Sequence, residues 1–168
     1  MSKSKSKLSL VIALTALLTI IFALVFPSVS LESQTHNSKD FTYIFGFTST
    51  FGGTIIPKGS QLICPLSFNV GAFLALIFVV LGSVLVYAFD KQISSYVFCA
   101  ILFIVSGFLF GFSERLVVET NGFISGFSPY LYTNFGTYVS IGFCSIGLIE
   151  CAIGAYIIKQ EKTRRHHK

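Results

Sequence analysis

Charged residues are scarce in this chain of 168 residues: they make up 11% of it, whereas 53% is hydrophobic. A soluble domain of this length cannot bury so much apolar surface, so the composition indicates a membrane protein. Tryptophan is absent, and the 19 phenylalanines show no spacing that suggests stacking on nucleic-acid bases. The net charge of +5 comes from basic residues that flank apolar runs at the chain ends. Nucleic acid is therefore not an expected partner.

Catalytic and metal-binding motifs are also missing from the sequence. It has no nucleophile elbow, no phosphate-binding glycine loop, no paired carboxylates and no His/Cys set with metal-ligand spacing. The cysteines are Cys64, Cys99, Cys144 and Cys151, and no two of them form a Cys-x-x-Cys pair. That pattern argues against a zinc site, a disulfide framework or thiol exchange. We therefore predict no enzyme activity, no metal and no cofactor, with the cysteines acting as small apolar side chains.

Four stretches of the chain are apolar and long enough to cross a bilayer, at about residues 8–26, 65–89, 93–113 and 136–158. The second uncharged run starts at Leu62, and its helix is predicted to begin near Pro65, which a first helical turn tolerates. The first run has an alternative as a cleaved signal peptide, because residues 28–30 resemble a cleavage site. Its length exceeds the usual signal core, which favours an uncleaved helix. The predicted fold class is an all-α membrane protein with four transmembrane helices in an up-down bundle.

The distribution of basic residues predicts how the chain is oriented. A basic head (residues 1–7) and a basic tail (159–168), expected to be mobile, flank the spans. If both ends and the polar turn at 90–92 share one side, that side holds nine Lys and Arg, against three at Lys39, Lys58 and Arg115. The positive-inside rule then puts both termini in the cytoplasm, with the protein in the cell membrane. Basic ends of this kind are attracted to anionic headgroups of the lipid bilayer.

The first predicted outer loop, residues 28–61, becomes aromatic and glycine-rich after a polar start. Aromatic residues alternate from Phe41 to Phe47, which predicts a short strand, and Gly52-Gly53 would turn the chain into a second strand at 54–56. The loop is therefore expected to be structured, as a short β-hairpin on the membrane surface or as a partly re-entrant segment. A loop of this length is more often functional than idle.

The second predicted outer loop, residues 120–135, has a similar composition. Ser128-Pro129 is typical of a helix start, so residues 129–134 are predicted to form a helical turn ahead of the fourth span. Residues 44–48 resemble 124–128, and 51–54 resemble 135–137. These likenesses indicate either two related helical hairpins or chance similarity between Phe/Gly-rich segments.

Small residues recur along each span at helical intervals. Because lipid gives helices no hydrophobic reason to associate, close packing through small side chains must supply much of the association. The third span contains a Gly-x-x-x-Gly pair, Gly107 and Gly111. The predicted packing seam of the fourth span lies on one helix face and consists of Ser140, Cys144, Gly147, Cys151 and Gly154.

Glu150 is the one charged residue inside the four spans. It lies about 13 Å from the inner boundary by helical rise, which is near the bilayer midplane. An acid there costs about 2.5–3.5 kcal/mol on insertion scales, so it should face protein. No span offers Lys or Arg, and we therefore expect a mostly protonated Glu150 that hydrogen-bonds a neighbour. Candidate partners at similar depth are Thr15, Thr19, Ser83 and Ser106.

Three functional interpretations remain open at this point. The first is a small multi-pass protein that acts by interaction or assembly with another membrane protein or with itself. The second is a small proton- or cation-coupled transporter in which Glu150 exchanges its proton for a cationic ligand. The third, a membrane enzyme, has no residue set behind it. The first is favoured, because no second ionisable group accompanies Glu150 at its depth.

Overall fold

The computed structural model describes residues 2–35, 38–56, 63–112 and 131–166 of the chain. Within these ranges the protein is mostly helical and carries a small sheet component. In chain order the elements are α1 (Ser2–Val25), β1 (Pro27–Thr35), β2 (Ser38–Phe45), α2 (Gly46–Phe51), β3 (Gly53–Ile55), β4 (Cys64–Leu66), α3 (Val70–Ala88), α4 (Ile93–Gly111), β5 (Leu131–Thr133) and α5 (Phe135–His166).

Four helices of the described chain, α1, α3, α4 and α5, are long and apolar enough to cross a membrane. They correspond to the four predicted spans, so that part of the prediction is confirmed. The helix α4 begins at Ile93, where it was predicted, and ends at Gly111. The predicted end of this span, Ser113, lies outside the described residues.

The start of the second span was predicted wrongly. The helix α3 begins at Val70, because Asn69 is its N-cap and accepts a hydrogen bond from the Ala72 N–H at 3.0 Å through Oδ1. Pro65, placed by the sequence in the first helical turn, instead lies in β4. Strand β4 pairs antiparallel with β3, and Thr54 is the partner of Pro65. The run is apolar as predicted, but residues 64–66 form a strand rather than the start of a helix.

Both basic chain ends are helical where the structure describes them. The helix α1 begins at Ser2, and α5 continues past Ile158 to His166. The tail was expected to be mobile, and its described part is instead a continuation of α5. The residues after Ile158 include good helix formers and no Gly or Pro, so nothing in this segment ends the helix.

The four long helices pack in a ring, with α5 against α1 and α4, and α3 against α4 and α1. The buried core between them includes Ile12, Ala75, Val79, Phe103 and Cys151. Their outward faces are just as apolar, with Leu10, Val80, Phe98 and Ile149 among the exposed side chains. A helix that is apolar all round suits an apolar environment rather than water.

Strands from both predicted outer loops join in one sheet. Within the described residues, β1 lies in the centre and pairs antiparallel with β2 on one side and with β5 on the other. The predicted hairpin had the wrong partners, since β2 pairs with β1 and β3 pairs with β4 in a separate two-stranded sheet. The predicted turn is present: Gly52 has a φ of 82°, which glycine adopts without strain, and leads from α2 into β3.

The prediction of a helical turn at 129–134 is also wrong. Residues 131–133 form β5 and pair with residues 29–31 of β1, which gives their backbone groups hydrogen-bond partners outside a helix. The internal likeness between 51–54 and 135–137 has no structural counterpart, because the first segment ends α2 and the second begins α5. The other likeness involves residues 124–128, which lie outside the described residues.

The last turn of α1 is fixed by close backbone contacts. The Gly46 N–H donates to the Phe26 carbonyl at 3.0 Å, and a Cβ on Gly46 would overlap the carbonyl of Ala23. A Cβ on Gly136 would lie 2.8–3.0 Å from the carbonyl oxygens of Phe22, Phe26 and Pro27. Two glycines therefore allow α2 and α5 to approach the end of α1 more closely than any side chain would permit.

Candidate functional site

Glu150 lies on the side of α5 that faces α1. The Thr15 hydroxyl on α1 donates to Glu150 Oε1 at 3.0 Å. The Thr15 side chain is buried, whereas that of Glu150 is half-buried. Of the four partners predicted from depth, Thr15 is the one that makes this contact in the structure.

The second carboxyl oxygen of Glu150 has a different environment. Glu150 Oε2 is enclosed, and no hydrogen-bond partner for it exists among the described residues. A buried polar atom without a partner costs about 1–3 kcal/mol. The Glu150 carboxyl group is therefore held at one oxygen only, between two long helices.

The other three predicted partners do not contact Glu150. The buried Thr19 hydroxyl donates to the Thr15 carbonyl at 2.8 Å, and Ser83 donates to the Val80 carbonyl at 2.8 Å, both within their own helices. Ser106 donates to the Ala75 carbonyl on α3 at 3.0 Å and to Leu102 in its own helix at 2.8 Å. Ser106 therefore joins α4 to α3, on the far side of the bundle from Glu150.

All five residues of the predicted seam on α5 are buried, but they face two different helices. Ser140 lies against α1 and donates to the Thr19 carbonyl at 3.4 Å as well as to Gly136 at 2.7 Å. Cys144 lies against α4, opposite Gly107. Cys151 lies beside Cys99 of α4, and both are buried.

The two seam glycines hold aromatic rings from α4. A Cβ on Gly147 would lie 2.7–2.9 Å from ring atoms of Phe103. A Cβ on Gly154 would overlap the ring of Tyr96. Both rings are buried, because Tyr96 and Phe103 each expose only 1% of their surface. The seam was predicted from its small residues alone, without naming what packs against them; its two glycines make room for large rings.

The Gly-x-x-x-Gly pair of α4 lines an open groove. Gly107 is half-buried and Gly111 is exposed. With Phe108, Ile141 and Ser145 they border an apolar groove of about 440 Å³ between α4 and α5. Both glycines were predicted to take part in helix packing, and both approach α5: a Cβ on Gly107 would lie 3.6 Å from Cys144, and one on Gly111 would lie 3.8 Å from Ile141.

An aromatic surface that the sequence only partly indicated lies on the three-stranded sheet. Opposite residues of paired strands share a face, so Tyr43, Ser30 and Tyr132 lie side by side. The Phe41 and Tyr132 ring centroids are 6.5 Å apart across β1. We call this surface the outer aromatic face; its exposed rings are those of Phe41, Tyr43, Phe45 and Tyr132.

Glu32 lies beneath the outer aromatic face and was not identified from the sequence. It pairs with Phe41 in the sheet, is only 5% exposed, and its Oε2 accepts a hydrogen bond from the Tyr132 hydroxyl at 2.9 Å. This bond links strands from the two loops across 100 residues of chain. The signal available was the alternation of Ser28, Ser30 and Glu32 with Val29 and Leu31, which is typical of a strand.

Within the described part of the chain, no three His, Cys, Asp or Glu side chains cluster closely enough to hold a metal ion. No protein-family model matches this chain, and no curated protein matches it at a significant level. The two candidate sites, the Thr15–Glu150 pair and the outer aromatic face, are therefore defined by their geometry.

Proposed function

We propose that this chain is a multi-pass protein of the cell membrane that works by binding another membrane protein through its outer aromatic face. The membrane location is supported by four long apolar helices whose outward faces are also apolar. In this proposal the helices form an up-down bundle with both termini in the cytoplasm. The arrangement is supported by the nine-to-three distribution of Lys and Arg and by the short turn between α3 and α4.

The observation that carries the proposal is the exposure of the outer aromatic face. Tyr43 is 57% exposed, Phe45 53% and Tyr132 45%, although each belongs to a paired strand. Tyr and Phe are enriched at the centres of protein interfaces, where they supply contact area at low entropic cost. Rings fixed on a sheet are already ordered, so less conformational entropy is lost when a partner binds them.

The position of this face favours a partner that is itself embedded in the membrane. Strand β1 begins two residues after α1 ends, and one residue separates β5 from α5. The face is thus attached directly to the ends of two spans and stays close to the bilayer surface. A membrane-embedded partner is held at the same height, which raises its effective concentration at this face.

Affinity purification at native expression level in mild detergent, with quantitative mass spectrometry, tests the proposal. The wild-type chain should retain one specific membrane protein, and Tyr43→Ser with Phe45→Ser should lower its recovery at least about tenfold, as expected for losing two interface rings. The matched control is Tyr43→Phe, which keeps the ring and should keep the partner. Unfolding in mixed micelles should show that all variants are folded.

Two outcomes would contradict the proposal. The first is a wild-type protein recovered alone or only with copies of itself. The second is a partner that binds the double variant as well as it binds the wild type. Either result would mean that the outer aromatic face is not where this protein meets another membrane protein.

A second function, proton- or cation-coupled transport, is favoured by one specific observation. Glu150 Oε2 is enclosed and has no hydrogen-bond partner among the described residues, so this oxygen keeps an unused capacity to bind a proton or a cationic ligand. In that case the Glu150→Gln protein should fold normally but should no longer take up a cationic substrate into proteoliposomes under a proton gradient. Unchanged uptake by Glu150→Gln would eliminate the transport function.

A further inference from the structure

The extension of α5 beyond its apolar part carries a polar, cationic surface on one side. Five residues at intervals of three, one, three and one line a shallow hollow of about 360 Å³. This spacing keeps them on one helix face. We call this surface the inner basic hollow; it consists of Tyr156, Lys159, Gln160, Thr163 and Arg164.

The donors of the inner basic hollow suit a phosphate group. Lys159 and Arg164 are exposed and supply two positive charges. Gln160 Nε2 donates to the Tyr156 hydroxyl oxygen at 2.6 Å, which leaves the Tyr156 O–H free to donate to a ligand. A guanidinium, an ammonium and a phenol together can hold several oxygens of one phosphate.

The residues that line the inner basic hollow include two cations and no acid. Glu161 is the one acidic residue after Glu150 in the sequence. At 100° per residue it lies about 130° from the centre of the hollow, on another side of α5. Lys162 also lies about 130° from that centre, so it shares the helix but not the surface.

The inner basic hollow begins at the apolar boundary of α5 and extends across the headgroup layer of a bilayer. Ile158 is the last apolar residue of α5, and the hollow reaches from Tyr156 to Arg164, about 12 Å of helical rise. The polar layer on each side of a bilayer is about 5–7 Å thick. A tyrosine at the apolar boundary with cations just beyond it is the usual arrangement at such an interface.

We propose that the inner basic hollow binds the phosphate group of an anionic phospholipid in the inner leaflet. This inference rests on the proposed membrane location and orientation, but it does not depend on a protein partner. The contact would fix the depth and rotation of α5 relative to the bilayer. That helix also carries Glu150 and begins beside the outer aromatic face.

Native mass spectrometry of the full-length protein in detergent micelles tests the proposal. The protein is titrated with phosphatidylserine or with phosphatidylcholine of the same acyl chains. Phosphatidylserine adducts should form at a severalfold lower lipid concentration. Each of Lys159→Gln and Arg164→Gln should weaken phosphatidylserine binding about fivefold, the usual effect of one cation at a lipid surface.

Lys162→Gln is the matched control, because it removes the same charge from the same exposed helix on another face. It should change phosphatidylserine binding less than twofold. If Lys162→Gln weakens binding as much as Lys159→Gln does, the attraction is a general effect of net charge and the proposed site is wrong. Equal binding of phosphatidylserine and phosphatidylcholine would also overturn the proposal. Circular dichroism should show equal helix content in all variants.

Two further experiments test where the bound phosphate group comes from and whether the protein lies in a membrane. Inorganic phosphate at the same concentration as the lipid should not displace phosphatidylserine. Displacement would mean that the hollow binds free phosphate instead of lipid. Extraction of the native protein from cells without detergent would refute the membrane location itself. Loss of partner binding through the outer aromatic face would leave the lipid result unaffected, so the two proposals fail separately.

Discussion

The two sides of α5 are packed by different means. Toward α4, the buried rings of Phe103 and Tyr96 enter spaces left by Gly147 and Gly154. Toward α1, the Phe22 ring packs against Phe135 and Phe143, but hydrogen bonds also cross the boundary, from Thr15 to Glu150 and from Ser140 to the Thr19 carbonyl. The α1 side of α5 therefore adds hydrogen bonds and close backbone approaches to the packing of side chains.

This difference shows that a small residue in a membrane-type helix has two separate uses. Gly147 and Gly154 make room for side chains, which can shift by a few tenths of an ångström when crowded. Gly136 makes room for three backbone carbonyl oxygens, those of Phe22 in α1, Phe26 between α1 and β1, and Pro27 in β1. Small residues have the same spacing in sequence in both cases. The loss of stability on adding a side chain therefore depends on which atoms lie opposite the glycine.

The largest effect is expected for Gly136→Ala. The added methyl group would lie 2.8–3.0 Å from the carbonyl oxygens of Phe22, Phe26 and Pro27, so backbone must move. We expect a loss of about 3 kcal/mol in the free energy of unfolding, the upper part of the range for overpacking. Unfolding in mixed detergent micelles measures it. A loss below about 1 kcal/mol would mean that the α1 side of α5 is as adaptable as the α4 side.

A smaller loss is expected for Gly147→Ala. The methyl group would lie 2.7–2.9 Å from the Phe103 ring, which can tilt away more easily than backbone can. We expect a loss of about 1–2 kcal/mol in the same unfolding measurement. Gly142→Ala is the control, since a Cβ at this exposed position meets nothing within 4 Å. That variant should stay within about 0.5 kcal/mol of the wild type.

A double variant sharpens the second prediction. Because Phe103→Leu replaces the ring that crowds position 147 with a smaller side chain, it should reduce the loss of unfolding free energy caused by Gly147→Ala. Contacting residues typically couple by about 0.5–3 kcal/mol, whereas distant ones are additive. Additive losses in the double variant would show that the ring does not determine the cost at Gly147.

Thr15→Val tests the polar side of α5 and should cost less. Valine keeps the shape of threonine but removes the hydroxyl that donates to Glu150 Oε1 at 3.0 Å. Hydrogen bonds between membrane helices average about 0.6 kcal/mol and reach about 1.7, so the expected loss lies in that range. The control is Thr15→Ser, which keeps the hydroxyl and should retain the interaction with Glu150 in a double-mutant cycle.

The helices were predictable from sequence because an uncharged run of about 20 residues is a local signal. Thr15 was among the candidates for contact with Glu150 because depth along a helix follows from counting residues. Which of four hydroxyls at that depth would face Glu150 was not predictable, since it depends on how the helices are rotated against each other.

The sheet was harder to predict because its pairing is not local. Strand β1 is mostly polar, and its partner β5 lies about 100 residues further along the chain. The pattern at Ser128-Pro129 indicated a helix start, but backbone pairing with β1 determines the conformation of residues 131–133 instead. Phe103 and Tyr96 were missed for a similar reason, because a buried aromatic residue and a lipid-facing one have the same appearance in an apolar run.

The smallest effect on stability is expected for Glu150→Gln. Glutamine has nearly the shape of a neutral glutamic acid, and its Oε1 can still accept the Thr15 hydroxyl. An acid near the bilayer midplane without a cationic partner is expected to be neutral in the folded protein. Near pH 4, where the carboxyl group of the unfolded chain is also largely protonated, the substitution should therefore change the unfolding free energy by less than about 0.5 kcal/mol. Between pH 6 and pH 8 the unfolded chain releases this proton and the folded protein keeps it, so the wild type should lose stability relative to the variant as the pH rises. A difference that is the same at pH 6 and pH 8 would show that Glu150 is ionised in the folded protein, and the α1 side of α5 would then hold a charge rather than a neutral hydrogen bond.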